Sequence, residues 1–155
     1  MSLDHDAETI ARAPELAGFE ADALRLIAFA APRRTFPAGA RIFSFGEPAQ
    51  GALLVARGRI MLTQPGESGP DLAVSAGAVI DDMAMFVGTV RAADATAVED
   101  TDVIILDRAI IRRVLTEFPR SAAAVRDAVS ARLNRMSAEL AGVGRKLAAL
   151  DQPPE

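Results

Sequence analysis

Residues 77–97 read GAVIDDMAMFVGTVRAADATA, and the fold turns on this stretch. Gly77 closes one strand. A short segment at 82–86 is long enough for about one or two helical turns. A link containing Gly88 follows, and Arg91 opens an alanine-rich strand. An exposed helix N-terminus offers unpaired N–H groups to an anion, and a fixed arginine adds two parallel hydrogen bonds to a phosphate. The layout therefore suits a phosphorylated ligand. Asp81 and Asp82 oppose it, because they put two carboxylates where such a ligand needs positive charge.

Upstream of this stretch the chain reads as short strands. Residues 34–36, 41–45, 51–56, 59–63 and 71–75 carry apolar or alternating patterns, separated by Pro37-Ala38-Gly39, Gly46-Glu47-Pro48 and a loop at 65–70. Arg57-Gly58 carries a two-residue hairpin signal, with Gly58 supplying the positive φ. Downstream, strands are expected at 92–98 and at 103–106, the second buried on both faces because its run Val103-Ile104-Ile105-Leu106 is continuously apolar. Strand follows strand with only the 82–86 segment between them, which favours an antiparallel sandwich or barrel over a βαβ fold.

Helices flank these strands. Residues 1–13 are polar, with weak helical spacing at Ile10, and form an N-terminal segment with the mobility common at chain ends. Residues 20–30 put Leu24, Ile27 and Ala28 on one helical face, and Pro32 stops that helix. Asp107 suits the cap of a helix at 108–118, and Pro119 the first turn of the next. That last helix, 119–150, carries the most regular pattern in the chain. Val129, Met136, Val143 and Leu150 fall seven apart, and Leu133, Leu140 and Leu147 fall between them. This is an a/d seam of about three heptads, as in a coiled coil. A parallel homodimer through this helix is expected; one long helix lying on its own domain is the alternative. Gly142 and Gly144 each cost about 1 kcal/mol relative to alanine in a helix interior. Residues 151–155 read as a tail.

Composition limits the chemistry. The 155 residues are 50% hydrophobic with net charge −4, which suits one globular domain and gives no support for nucleic-acid binding by the whole chain. Charge is uneven: residues 1–30 are acidic, and 120–150 carry Arg120, Arg126, Arg132, Arg135, Arg145 and Lys146. The two ends can attract each other within or between chains, or simply face solvent. With no Cys, thiolate catalysis and thiolate metal sites are excluded, and His5, the one His, leaves no His-rich metal centre. No apolar run approaches the roughly 20 residues of a membrane span, and no secretory signal is present, so a cytoplasmic protein is expected. Asp81 and Asp82 as a catalytic acid pair lack a nucleophile beside them, so no enzyme activity is expected.

With these elements placed, residues 14–150 resemble the cyclic-nucleotide-binding domain family, in particular the sensor half of catabolite-activator-type (Crp/Fnr) regulators. The matching pieces are Phe36-Pro37-Ala38-Gly39, Ile42-Phe43 before Gly46-Glu47-Pro48-Ala49, Val55-x-x-Gly58-x-Ile60, residues 77–85, and Arg91-Ala92-Ala93 with Ala97. The resemblance implies a mainly β fold with flanking helices: an antiparallel β-roll (a jelly-roll-like double-stranded β-helix) at 14–118 and a long C-terminal dimerisation helix at 119–150. Such regulators usually add a helix-turn-helix module. This chain ends at Glu155, so no DNA binding by it is expected.

The resemblance also assigns a ligand site. In the family a Gly-Glu pair starts the short helix, the Gly backbone meeting the cyclic phosphate and the Glu accepting from the ribose. An arginine nine to ten residues on pairs with the phosphate, and the small residue after it adds a hydrogen bond. Here Asp81 stands at the Gly position and Asp82 at the Glu position, with Met83 and Ala84 continuing the segment; Arg91 and Ala92 hold the other two. Ser137 falls near the place of a hydroxyl that meets the base, although a serine there is more often simply a helix-surface residue. Asp82 is one methylene shorter than Glu. Asp81 adds a negative charge that, about 4 Å from a phosphate, repels it by about 4 kcal/mol at an effective dielectric near 20. Arg91 can pair with a phosphate or with Asp81 or Asp82. The expectation is a non-catalytic, homodimeric regulatory sensor domain with a partly degenerate cassette. It would bind a small phosphorylated ligand such as cyclic AMP or cyclic GMP and signal to an unidentified protein partner. The alternative is a ligand-free β-roll serving as a dimerisation or scaffolding module.

Overall fold

A computed structural model describes residues 3–66 and 70–150. The chain order is α1 (Leu3–Arg12), α2 (Ala21–Ala30), β1 (Arg33–Phe36), β2 (Arg41–Phe43), β3 (Pro48–Ala49), β4 (Gly51–Arg57), β5 (Arg59–Thr63), β6 (Leu72–Ser75), β7 (Val79–Ile80), β8 (Thr89–Val90), β9 (Asp94–Ala97), β10 (Thr101–Asp107), α3 (Arg108–Glu117) and α4 (Pro119–Leu150). Short 3-10 turns form at Pro14–Leu16 and Asp82–Met85. The tail assigned to 151–155, Glu67-Ser68-Gly69 of the expected loop, and Met1-Ser2 lie outside the described residues.

The strands build two antiparallel sheets, β1-β10-β4-β7 and β2-β9-β5-β6, with β3 and β8 as a separate ribbon. This is the expected antiparallel roll with flanking helices. Phe36, Phe43, Leu53, Val55, Ile60, Ile80 and Val103 fill the space between the sheets. On the outer face of the first sheet, Ala52, Leu54, Ile104 and Leu106 pack under Ile10, Leu16 and Ile27 of the N-terminal helical segments and under Ile111 and Val114 of α3. Adjacent residues of β4 and β10 thus enter different cores, as side chains on a strand alternate faces. That explains why both strands read as continuous apolar runs.

Two local readings are corrected. Gly58 has the expected positive φ of 95°. It does not close a hairpin, however, because β4 pairs with β10 and β7 while β5 pairs with β9 and β6. The chain passes from one sheet to the other there, so close to β10 that a Cβ on Gly58 would stand 2.5 Å from the Asp100 carbonyl oxygen. The doubly buried β4 belongs in the sheet that carries the helices; the turn signal alone cannot show that. The strand expected at 92–98 begins only at Asp94. Arg91 precedes it, because its N–H and C=O are taken by the Gly46-Glu47 turn instead of a strand partner.

Residues 1–13, set apart in the sequence as a polar segment, contain α1. Its Ile10 is buried, and Asp6, only 1% exposed, pairs with Arg33. Arg33 also donates to the carbonyls of Ala31 at 3.2 Å and Ala28 at 2.8 Å, tying β1 to the helices. Asp107 caps α3 as expected, its Oδ1 accepting from the Ala109 N–H at 2.8 Å. α4 starts at Pro119 and runs unbroken through Gly142 and Gly144. Its first turns are anchored by Ser121, whose hydroxyl accepts from the Glu20 N–H at 2.8 Å. From 131 to 150 only Gly142 is even half-buried, and beyond the Arg132 and Arg135 side chains, which reach the cassette, the helix stands exposed.

A polar pair closes the end of the first sheet. Asp102 accepts from Arg57 Nε at 2.8 Å and from the Thr35 hydroxyl at 2.8 Å. The hydrogen bond from Arg57 leads in holding the Asp102 carboxyl below its usual pKa, against the opposing effect of burial. A carboxyl lowered in the folded state contributes stability above its unfolded pKa of about 3.9, and that contribution is lost as pH falls through the folded value. Urea melts should therefore lose stability on acidification from about pH 5 downward. Asp102→Asn should be less stable near neutrality and show a shallower acid limb; an unchanged limb would contradict this.

Candidate functional site

The site is built on a short connection between strands. Gly77, at φ 94°, turns the chain into β7, which is held against Leu53 and Leu54 of β4. Asp81 then adopts the left-handed conformation, φ 55° and ψ 54°, the one non-glycine residue to do so among the described residues. Aspartate tolerates this region better than most residues, and glycine needs no tolerance at all. The turn aims the 3-10 segment Asp82–Met85 inward. Ala84 and Met85 are buried, and the Ala84 N–H donates back to the Asp81 carbonyl at 2.9 Å.

Arg91 is fixed from both sides of its backbone. Its N–H donates to the Glu47 carbonyl at 2.8 Å, and its carbonyl accepts from the Gly46 N–H at 2.9 Å. Its side chain crosses the roll with the residue only 8% exposed. The guanidinium stacks 4.6 Å above the Phe43 ring, and Nη1 donates to Asp81 Oδ2 at 3.1 Å. Of the two readings left open for Arg91, the structure forms the internal ion pair, with Asp81 on the arginine.

Asp82 turns the other way. Its Oδ1 accepts from the Met83 N–H at 3.0 Å and its Oδ2 from Arg132 of α4 at 2.6 Å. It lines, with Met83, Val129 and Arg135, a groove of about 230 Å³ between the cassette and α4. Asp81 and Ala92 instead line a cavity of about 380 Å³ walled by Phe43, Leu62, Leu72 and Ile80, with Gln64 at its edge. The two aspartates are paired to separate arginines and line separate cavities, so they do not face each other. Ala84 is buried beneath the segment rather than at a cavity wall. Ser137 lies on the exposed stretch of α4 and lines neither the cavity nor the groove. Among the described residues no cluster of three or more His, Asp or Glu could hold a metal. No helix of those residues is long and apolar enough to cross a membrane.

Arg108 and Arg132 were not singled out in the sequence. Arg108 Nη1 donates to the carbonyls of Ala49, Ala84 and Val87 at 3.0, 3.1 and 3.1 Å, joining the first turn of α3 to β3 and to the C-terminal side of the 3-10 segment. Nothing in local periodicity marks a side chain that reaches back to backbone 21, 24 and 59 residues away. In the sequence Arg132 stands only as part of the basic C-terminal charge. Its partner Asp82 lies 50 residues earlier.

The family model of the cyclic nucleotide-binding domain matches residues 33–118. The chain is similar to a cyclic nucleotide-binding-like protein from Brucella abortus, at 33% identity over 72% of this chain and 97% of that one, with a TM-score of 0.65. The N-terminal domain of a transcriptional regulator from Streptomyces coelicolor shares the fold at 21% identity, over 85% and 94% of the two chains, TM-score 0.76. The regulatory domain of Toxoplasma gondii PKA, crystallised with cAMP, does so at 22% identity and TM-score 0.65, over 86% of this chain and 50% of that one. No curated protein matches.

Proposed function

Since this chain belongs to the cyclic nucleotide-binding domain family, we propose that it is a non-catalytic regulatory sensor domain. It acts as a cytoplasmic homodimer through α4, with a partly degenerate phosphate-binding cassette. The observation that carries this reading is Arg91: a buried guanidinium at the family's phosphate position, occupied by Asp81 Oδ2 at 3.1 Å. Asp81 stands in for a ligand's anionic oxygen. A cyclic nucleotide must displace it, so binding by the unaltered chain is weak. The cAMP in the Toxoplasma structure supports that ligand class.

Two contacts give a bound ligand a route to the helices. Arg108 joins the cassette to α3, and the Asp82–Arg132 pair joins it to α4. A ligand that moves the Asp82–Met85 segment strains both. Coupling of this kind is typically worth 1–3 kcal/mol, which an unidentified protein partner would read from the position of the helices.

Calorimetry with cyclic AMP and cyclic GMP tests the reading. Weak binding to the wild-type chain is expected, and Arg91→Ala should lose about tenfold to a hundredfold in affinity, the worth of a charge-assisted hydrogen bond or two. Heat with neither nucleotide, at concentrations well above millimolar, would reject the ligand-binding reading. The second reading, a ligand-free β-roll for dimerisation or scaffolding, is favoured by one specific observation: both cassette aspartates already have arginine partners within the chain.

A further inference from the structure

The Asp81–Arg91 pair stands between two cavities. Asp81 faces the one that also holds Ala92. Arg91 lines a different one, of about 340 Å³, on the far side of Phe43. Its floor is apolar, with Phe36, Phe43 and Leu53 from three strands, and its rim carries Arg34 and Gln50.

Both arginines here are stacked on aromatic rings, Arg91 over Phe43 at 4.6 Å and Arg34 over Phe36 at 5.0 Å. Stacking uses the flat face of a guanidinium, while its N–H bonds lie in the plane and stay available to an acceptor. Arg34 has no carboxylate partner among the described residues. Arg91 gives one hydrogen bond to Asp81. Its other donors are not sealed away, since Asp6 Oδ1 is the one buried side-chain polar atom without a partner among those residues. The cavity thus offers two oriented cations, one amide and an apolar floor. Glu47 at the same rim repels negative charge on whatever enters, and repels a dianion more than a monoanion.

We propose that this rear cavity binds a small amphiphilic monocarboxylate, its carboxylate held between Arg34 and Arg91 and its hydrocarbon body laid on Phe36, Phe43 and Leu53. A dianion such as inorganic phosphate is disfavoured by Glu47 and by its lack of an apolar body. The two sites share Arg91 and approach it from different sides, and the rear cavity needs no bound nucleotide to be occupied.

Hexanoate is the probe, titrated into the full chain with amide NMR as the readout. Saturable shifts are expected at Gln50 and Leu53, with affinity at least about tenfold above that of 1-hexanol, the same body without the charge. Inorganic phosphate should bind more weakly than hexanoate. Arg34 is exposed, so Arg34→Ala should keep its thermal melt and lose at least about tenfold in hexanoate affinity. Arg34→Lys, which keeps the charge without the fork, should fall between. Equal affinity for hexanoate and hexanol, shifts centred on Gln64 and Ala92, an unaffected Arg34→Ala, or no saturable binding would each overturn the proposal. A failure of cyclic nucleotide binding would leave these outcomes unchanged.

Discussion

Asp81→Gly should bind cyclic AMP up to about a thousandfold more tightly than the wild-type chain. The carboxylate's repulsion of a phosphate about 4 Å away, about 4 kcal/mol at an effective dielectric near 20, converts to about three powers of ten in affinity. Three effects act together in this one change. The charge leaves, Arg91 loses the partner that competes with the ligand, and the left-handed backbone at φ 55° passes to the residue that adopts it without strain. The change also has a cost. It leaves a guanidinium that is 8% exposed without its carboxylate, and breaking a buried pair by removing one partner typically costs about 3–5 kcal/mol. The variant without ligand should therefore melt below the wild type, and cyclic AMP at about 100 times its dissociation constant should restore about 2.7 kcal/mol. Titration calorimetry and thermal melts with and without nucleotide check both halves. Affinity that stays the same or weakens would mean that the Asp81 carboxylate is not the obstacle.

Leu140→Asp should convert a dimer into a monomer. Leu133, Met136, Leu140, Val143, Leu147 and Leu150 are all more than half exposed on the single chain, Leu140 at 71%. Burying a leucine is worth about 1.5–3 kcal/mol, and a symmetric seam buries each position twice. An aspartate in that seam removes the gain and adds two desolvated like charges. Without a partner helix, residues 131–150 lack the tertiary packing from which most helical stability in proteins comes, and Gly142 and Gly144 weaken them further. Sedimentation should show a dimer for the wild type and a monomer for the variant, with loss of helical circular dichroism confined to about that length. A monomeric wild type would remove the dimer from the proposed function.

The sequence carried the outline of the fold because long elements announce themselves. β4, β10, α2, α3 and α4 each have enough residues for a period or an apolar run, and Asp107 and Pro119 mark helix starts by local chemistry. β3, β7 and β8 have two residues each and no period to read. Gly58 shows the limit of turn signals: positive φ follows from the residue type, but which sheet the chain enters next depends on strands far away. α1 is hard to read because part of its anchoring is electrostatic, through Asp6 and an arginine 27 positions later. At the site the same division holds. The residues that matter, Asp81, Asp82 and Arg91, were identifiable in the sequence. The partner each would choose was not, since adjacent aspartates do not announce that one takes the left-handed turn toward Arg91 and the other starts the 3-10 segment facing α4.

Strand β10 has a consequence for how the molecule is made. It is the central partner of both β1 and β4, pairing Arg33 with Ile104 and Leu54 with Ile104 across its two edges. Until residues 101–107 leave the ribosome, β1 has no neighbour in its sheet and β4 has only the two-residue β7. The helices α1 and α2 emerge first, with no surface on which to bury Ile10 and Ile27. Sheet closure by distant segments is slow compared with helix formation. The nascent chain therefore carries unpaired strand edges until β10 emerges, and unpaired edges make such chains prone to aggregate.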